Sequence, residues 1–379
     1  MNSLERHELR YQRRKAKREA NRRKKNTGFN DVFSYEHLYK SYKKCRRNVS
    51  WKASTQKYIS QAPLNVYQTM IQLQNGNFRS DGFYEFDIYE RGKCRHIRSV
   101  NIKERIVQRC LCDYALVPVL ESTLIYDNGA SRKNKGYHFA MKRMVRHLQY
   151  HYRKFGNNGY VLLFDFHQFF DSISHELVKD LITKHFDDGA MKELIFHFID
   201  MFGDRGLGLG SQISQTLALA ATNKIDHHIK EQLRIKGYGR YMDDGYIIHP
   251  SKEYLAKCLN DIRKICDELG IVLNEKKTQI VKLSHGFTWL KARIYLTETG
   301  KVIKKIYKQS VTRARRKIKK LHQLYKNEII TLADVQGGIQ SWLAYASNFD
   351  AFYTKQNMIK LCKQIFYEKR RSRYVLQSY

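Results

Sequence analysis

Three aspartates stand where the sequence predicts a strand end and a tight turn. Asp165 follows the apolar run 160–164, and Asp243 and Asp244 lie among apolar residues with Gly245 directly after them. Because carboxylate oxygens suit Mg²⁺, such acids brought together could hold ions that take further ligands from substrate phosphates. Two ions about 4 Å apart can activate a hydroxyl and stabilise a leaving pyrophosphate. The pattern therefore predicts phosphoryl transfer.

Each carboxylate also has a structural interpretation. Asp is common in turns, so turn chemistry alone explains the pair Asp243-Asp244 equally well. Asp165, at the end of a buried strand, could instead cap a helix or form a salt bridge with a basic side chain. The acids converge only if their strand and hairpin are neighbours in one sheet, so local sequence leaves both interpretations open.

The elements that must position these acids are visible in the hydrophobic pattern. Residues 160–164 predict a buried strand, and residues 238–249 predict a hairpin with the acids at its tip. Residues 82–100 alternate apolar and polar types around Arg91-Gly92, which predicts a further hairpin. Apolar residues at helical spacing predict helices at 102–117, 138–153, 213–233 and 252–269.

Composition narrows the class of partner. The 379 residues carry a net charge of +34, with 26 Tyr and 19 Phe, and residues 1–26 contain eleven Lys or Arg against three Glu. Lysine and arginine side chains bind phosphates, and aromatic side chains stack on bases. Nucleic acid is therefore the favoured partner, and an anionic membrane surface is the alternative. No apolar run approaches the ~20 residues of a membrane span, and the apolar content excludes a wholly disordered chain.

Cysteine usage favours a reducing compartment. Seven cysteines form no CxxC pair, and Cys258 and Cys266 fall on an apolar helical stripe that predicts burial. The first twenty residues contain no apolar segment typical of a secretory signal. We therefore expect a cytoplasmic location.

Short motifs, in order between about residues 90 and 295, resemble those of reverse transcriptases. Tyr241-Met-Asp-Asp244 resembles the YxDD box of that family, and Asp165–Phe170 resembles its first catalytic box, 78 positions upstream. Four further segments resemble the triphosphate-holding fingers element, the GxxxSx box, the box ending in lysine and the primer-grip hairpin: residues 93–97, 209–215, 269–278 and 287–291.

The resemblance implies a metal site and a leaving-group residue. Asp165 and Asp243 match the chief metal ligands, with Asp244 in support, for two Mg²⁺ ions with Mn²⁺ as a substitute. Lys277 matches a lysine that assists pyrophosphate departure, and its neighbour Lys276 is the alternative for that role. A second group matches nucleotide-binding positions: Arg95, Lys93, Phe170, Gly210, Ser214 and Gln215.

Several of these residues have alternative interpretations. Phe170 matches an aromatic steric gate that would favour dNTPs, and the alternative is a core aromatic beside Phe166 and Phe169. Arg95 and Lys93 match triphosphate contacts, but they could be solvated hairpin charges. A loop-based template contact is implied for three polar residues, for which plain solvation is the alternative: Arg132, Lys135 and His138.

The resemblance implies an α+β right-hand polymerase with fingers, a palm of antiparallel sheet packed on helices, and a helical thumb. We expect a basic arm over 1–30, fingers and palm over 31–295, and a basic helical thumb and C-terminal region over 296–379, with basic helices at 311–320 and 364–373. The implied activity is RNA-directed DNA synthesis. The implied partners are an RNA template, a DNA or RNA primer, dNTPs and a structured RNA or accessory protein, with no membrane.

The GxxxSx box departs from the common reverse transcriptase pattern at two positions. Leu209 replaces the usual glutamine before the glycine, and Gln215 replaces the final proline. The SQ ending resembles reverse transcriptases of diversity-generating retroelements, while group II intron-like and antiviral defence-associated branches stay open. Two alternatives stay open. An RNA-dependent RNA polymerase would have a glycine before the aspartate pair and a small, polar gate, so Met242 and Phe170 argue against it. A non-catalytic nucleic-acid-binding scaffold explains the charge of +34 but not three acids at polymerase spacing.

Overall fold

The structure, a computed structural model, describes residues 5–6, 8–14, 28–90 and 92–368. It divides into two units, each built from three chain segments. The first holds residues 1–140, 164–245 and 258–276, and the second holds residues 141–163, 246–257 and 277–379. Within the predicted basic arm, residues 5–6 and 8–14 are exposed helix, and the rest of 1–27 lies outside the described residues.

Helices account for most of the regular structure. In chain order they are α1 Phe29–Val32, α2 Tyr35–Cys45, α3 Ala53–Ser60, α4 Ala62–Gln74, α5 Ile102–Leu111, α6 Val117–Leu120, α7 Tyr137–Phe155, α8 Phe169–Ser172, α9 His175–His185, α10 Gly189–Asp200, α11 Gln212–Ala221, α12 Asn223–His227, α13 Lys252–Glu268, α14 Lys308–Lys326, α15 Leu332–Ala346 and α16 Phe352–Lys363. Several begin at a capping side chain that accepts a backbone N–H: Asn101, Ser174, Asp188, Ser211 and Thr331.

The strands of the described residues form three sheets. In chain order they are β1 Tyr84–Glu90, β2 Lys93–Ser99, β3 Tyr160–Phe164, β4 Tyr238–Tyr241, β5 Asp244–His249, β6 Gln279–Lys282, β7 Phe287–Trp289, β8 Ala292–Leu296 and β9 Val302–Ile306. The sheet orders are β1-β2, β4-β5-β3-β6 and β7-β8-β9. Pairings β1–β2, β3–β6, β7–β8 and β8–β9 are antiparallel. The predicted α+β class is confirmed.

The second unit contains a small helical core within the region 296–379. Ile318, Met358 and Cys362 are buried together, and Trp342 packs against them. The predicted basic helix at 311–320 lies within α14. Of the predicted helix at 364–373, residues 364–368 continue α16 as a π-helical turn, and residues 369–373 lie outside the described residues.

Two predicted helices are interrupted. The expected helix 213–233 breaks at Thr222, whose hydroxyl donates to the carbonyls of Ala218 and Leu219, and it resumes as α12 and a π-helical turn. Such back-bonding by a Thr hydroxyl competes with the helical ladder. The expected helix 102–117 becomes α5, a π-helical segment over Cys112–Leu116, and α6, which has Pro118 in its first turn.

The burial predicted for two cysteines is confirmed. All seven cysteines are free, and Cys258 and Cys266 are buried as predicted. Among the described residues, no helix is both long enough and apolar enough to cross a bilayer.

Candidate active site

Asp165 directly follows β3, and hydrogen bonds hold both its main chain and its side chain. Its side chain is 3% exposed, and the chain beyond it runs beside residues 272–274. The Asn274 backbone N–H donates to the Asp165 carbonyl at 2.7 Å, and Asn274 Nδ2 donates to Asp165 Oδ1 at 3.1 Å. The His167 backbone N–H donates to the Val272 carbonyl at 2.7 Å. These bonds orient the carboxylate from both the main chain and the side chain.

The other two acids sit on a tight turn. β4 ends at Tyr241 and β5 begins at Asp244, so Met242 and Asp243 alone join the strands. Met242 has a φ of 58°, a left-handed conformation that a non-glycine residue adopts at an energetic cost. Both aspartates are half-buried. The hairpin predicted over 238–249 is confirmed, with its acids at the tip.

A direct contact joins this hairpin to the strand that leads to Asp165. A Cβ built on Gly245 would lie 2.2 Å from Phe164 Cζ, so the Phe164 ring packs flat on the glycine backbone. Gly245 follows Asp244, and Phe164 precedes Asp165. The predicted adjacency of strand and hairpin is therefore present within the first unit.

A buried ion pair holds the acid-bearing turn. Arg240 and Asp226 are both fully buried; Arg240 Nε and Nη2 donate to the two carboxylate oxygens at 2.8 and 2.6 Å. Arg240 Nη1 donates to the Met242 carbonyl at 2.8 Å. The Tyr238 hydroxyl also donates to Asp226.

The charges in this network stabilise one another. Burial opposes the charge of Arg240, but the attraction of Asp226 and its hydrogen bonds outweigh burial and keep the pKa of Arg240 above its ordinary value. Burial and the Asp226 charge raise the pKa of Tyr238 well above its usual range. Arg240 is therefore a permanent cation and Tyr238 a permanent donor at neutral pH.

The donor set fits a divalent cation in its chemistry. Asp165 and the turn offer carboxylate oxygens, which Mg²⁺ prefers, and such ions commonly take their other ligands from water and phosphate. Within the described residues, no group of three or more His, Cys, Asp or Glu side chains is arranged to hold a metal ion. Metal binding by Asp165, Asp243 and Asp244 stays a prediction.

The hairpin β1–β2 approaches the GxxxSx box. Gly210 has a φ of 102°, and a Cβ built on it would lie 3.7 Å from Ile97 Cγ2. Arg95 is exposed and stands two positions before Ile97, so the two residues share a face of β2. The structure thus brings the face of Arg95 to the box. Lys93 begins β2, and its side chain lies outside the described part of the chain.

The box itself opens α11 at the Ser211 cap. Ser214 is 1% exposed, and its Oγ makes no hydrogen bond among the described residues. Gln215 Oε1 accepts a bond from the Ser131 hydroxyl at 2.9 Å, which ties the box to the polar loop 126–136. In that loop Arg132 pairs with Glu121 at 3.0 Å, and Lys135 Nζ donates to the Tyr126 carbonyl. His138 is exposed and lies in the first turn of α7, outside the loop.

The remaining predicted residues are distributed as follows. Phe170 is half-buried in α8 and meets Phe169 edge to face at 5.5 Å between ring centroids. The His167 side chain is exposed. Lys276 and Lys277 are both exposed, and Lys277 belongs to the second unit. The predicted primer-grip hairpin is present there as β7 and β8, joined by Leu290 and Lys291 with φ of 45° and 62°.

A basic cavity of about 270 Å³ lies beside the box in the first unit. Arg105 lines it, and this guanidinium donates to Ser99 Oγ and the Val100 carbonyl and pairs with no acid among the described residues. The lining also includes three further cations and the residues around the start of α11: Lys44, Arg98, Arg109, Gly210, Ser211 and Gln212. Three of the lining cations are paired with carboxylates: Lys44 and Arg109 with Asp113, and Arg98 with Glu85.

Sequence reasoning missed three residues of this site. Asn274, Arg240 and Asp226 all contribute side-chain bonds, yet none received a role. Asn274 and Arg240 stood inside motifs that were recognised, which was the available signal. No sequence signal marked Asp226, because its partner Arg240 is 14 residues away and their pairing depends on the tertiary fold.

Comparison with protein families gives one match over more than half of the chain. A family model described as reverse transcriptase (RNA-dependent DNA polymerase) matches residues 88–294. This range contains every predicted site residue. Among curated proteins, none matches the chain.

Solved structures with similar folds include telomerases of two Candida species. An apo telomerase of Candida tropicalis truncated from its C-terminal domain has a TM-score of 0.46 and 15% identity, over 59% of this chain and 55% of that one. A Candida albicans telomerase in complex with a TWJ fragment of telomeric RNA has a TM-score of 0.48 and 12% sequence identity. This match covers 70% of this chain and 55% of that one. An apo telomerase of Candida tropicalis has a TM-score of 0.46 and 16% sequence identity. This match covers 60% of this chain and 49% of that one. The chain spans about half the length of these proteins.

Proposed function

The chain belongs to the reverse transcriptase (RNA-dependent DNA polymerase) family, and from that premise we propose that it extends a primer 3′-hydroxyl with dNTPs on an RNA template. The observation that carries the proposal is the contact between Gly245 and Phe164, which sets the Asp243-Asp244 turn beside the strand end at Asp165. The RNA template and the primer are likewise proposed.

In this proposal the carboxylates provide the metal site. Asp165 and Asp243 would hold divalent ions, Mg²⁺ with Mn²⁺ as a substitute, and Asp244 would support them. The ions would activate the primer hydroxyl and neutralise charge on the phosphates. Asn274 keeps the Asp165 carboxylate oriented through its bond to Oδ1, and the turn backbone fixes Asp243 relative to Asp244.

Residues around the box would bind the nucleotide. We propose that Arg95 and Lys93 contact the triphosphate and that Phe170 excludes a ribose 2′-hydroxyl. Gly210, which has no side chain, leaves room for the substrate backbone, and Ser214 and Gln215 complete the box. Lys277 is proposed to assist departure of pyrophosphate. The basic cavity beside the box supports a polyanionic substrate.

Primer extension tests the assignment of the acids. Asp165→Asn, Asp243→Asn and the double variant Asp243→Asn/Asp244→Asn are expected to lose about a hundredfold or more in dNTP incorporation on an RNA template. The matched control is Asp267→Asn, an exposed aspartate on α13, which should stay within about twofold. Incorporation that survives in the double variant would refute the metal assignment. Replacement of dNTPs by NTPs tests the RNA polymerase alternative, and binding without incorporation would indicate a scaffold.

We further propose that the enzyme is of the diversity-generating retroelement type and acts in the cytoplasm. Leu209 and Gln215 in the box support the branch, and the seven free cysteines support a reducing compartment. A structured RNA or accessory protein is proposed as a further partner. Sequencing of cDNA made in cells tests the branch, because errors concentrated at template adenines would support it. An intron-derived or defence-associated template without such errors would contradict it.

A further inference from the structure

The turn that carries Asp243 and Asp244 receives a hydrogen bond from a buried charge. Arg240 Nη1 donates to the carbonyl of Met242, the residue directly before Asp243. Met242 holds a left-handed backbone conformation, which costs about 1 kcal/mol or more and persists only where surrounding contacts enforce it. The bond from Arg240 is one such determinant.

Asp226 fixes the other edge of the guanidinium. Its two carboxylate oxygens accept from Nε and Nη2 at 2.8 and 2.6 Å, and Nη2 also reaches the Leu219 carbonyl at 3.3 Å. Both side chains are 0% exposed. The planar guanidinium of Arg240 can donate to the carboxylate and to the two carbonyls at the same time. A lysine ammonium cannot reproduce this arrangement.

The Arg240 backbone is also held. Its N–H donates to the Asp127 carbonyl at 3.2 Å, and its carbonyl accepts from the Gly129 N–H at 3.0 Å. Asp226 lies on α12 and Leu219 lies on α11, the helix that begins in the GxxxSx box. The network therefore joins the acid-bearing turn to the helix of the nucleotide-binding box and to the loop at 126–129.

We propose that Arg240, oriented by Asp226, is the positioning residue that sets the Asp243-Asp244 turn for chemistry. The proposal rests on the proposed function for its kinetic consequence. Arg240 is fully buried and acts through the Met242 carbonyl, so its loss should slow the chemical step and leave substrate binding unchanged. A misplacement of about 1 Å at reacting groups can cost about a hundredfold in rate.

The first variant is Arg240→Lys, which keeps the charge and loses the fork. We expect the single-turnover rate of dNTP addition to fall about tenfold or more, with the KM for dNTP and the Kd for primer–template within about twofold. The control is Arg263→Gln, which removes the Arg263–Glu275 pair at the surface of the same unit and should leave all three unchanged. A rate for Arg240→Lys within about twofold of the parent would overturn the proposal.

The second variant is Asp226→Leu/Arg240→Met, which replaces the buried pair by apolar side chains. Such replacements are often neutral or stabilising for the fold, so a cooperative unfolding transition is expected together with a loss of about a hundredfold in rate. Wild-type activity in this variant would overturn the proposal. Loss of its cooperative transition would give the pair a folding role alone and would also overturn it.

Hydrogen exchange separates this inference from the proposed function. In the unliganded protein, amides in the segment 241–245 should exchange faster in both folded variants than in the parent, while exchange in Arg263→Gln stays unchanged. Equal exchange in parent and variants would refute the positioning role whatever the activity. If the parent itself makes no DNA, the proposed function fails, and the exchange measurement alone decides whether Arg240 orders the turn.

Discussion

Replacement of Gly245 by alanine should disrupt the contact that joins the turn to β3. The added Cβ would lie 2.2 Å from Phe164 Cζ and 2.6 Å from both Cε atoms. The ring would have to retreat by roughly 1 Å to reach an ordinary contact of 3.4 Å or more. Phe164 is 2% exposed and lies between the rings of Phe166 and Tyr238 at 5.9 and 6.5 Å, so it has little room.

The expected cost is that of overpacking a well-filled core. Gly245→Ala should lower the free energy of unfolding by about 1–3 kcal/mol in urea denaturation. DNA synthesis should fall about tenfold or more, because the displaced backbone carries Asp244. The matched control is Gly189→Ala at the start of α10, where an added Cβ meets nothing within 4 Å. That change should leave stability equal or slightly higher, because alanine favours helix.

A double-mutant cycle tests the stated cause. Phe164→Leu alone should cost about 1–2 kcal/mol through lost packing. If the clash with the ring causes the destabilisation, the double variant Gly245→Ala/Phe164→Leu should cost less than the two single changes together by about 1 kcal/mol or more. Additive costs would refute the reasoning and would show that the Cβ is accommodated by another movement.

Three further predictions concern selectivity and pH. Phe170→Ala should raise incorporation of NTPs relative to dNTPs about tenfold or more, since the proposed gate is removed; an unchanged ratio in matched primer extensions would exclude the gate. Leu209→Gln should lower misincorporation opposite template adenine, because glutamine can hydrogen-bond an incoming nucleotide, and no change in a fidelity assay would remove the idea. Burial lowers the pKa of His151, so the folded chain holds the neutral ring. The unfolded chain then binds the proton first as pH falls below about 6.5, and stability should decrease from about pH 7.5 to 5.5. His151→Gln should show a flatter dependence in thermal unfolding, and an identical slope would contradict the assignment.

Local patterns were sufficient for the elements around the site. β3 coincides with the apolar run 160–164, because a continuous apolar run of only five residues is too short for a typical helix and fits a buried strand. The hairpin at 238–249 and the hairpin β1–β2 follow from alternation around turn residues. The helix at 252–269 was anticipated to within one residue, since its apolar stripe persists along its length.

Features that depend on distant partners could not be read in this way. The break at Thr222 arises from a hydroxyl that bonds its own helix, and the same residue type is tolerated elsewhere in helices. Asn274 acts on Asp165 across 109 positions, and Arg240 needs Asp226. The sequence therefore singled out the three acids by their place after a strand and in a turn, whereas the side chains that orient them required the fold.

The interleaving of the two units has a consequence for synthesis of the protein on the ribosome. Both units draw their segments from early and late parts of the chain, so the first unit lacks its last segment until residue 276 has emerged. The hydrogen bond from Asn274 to Asp165 can form only after that last segment, which contains Asn274, has been synthesised. Nascent chains that stop before it would carry all three acids of the site without the amide that orients the first, so catalytic competence should arise late in translation.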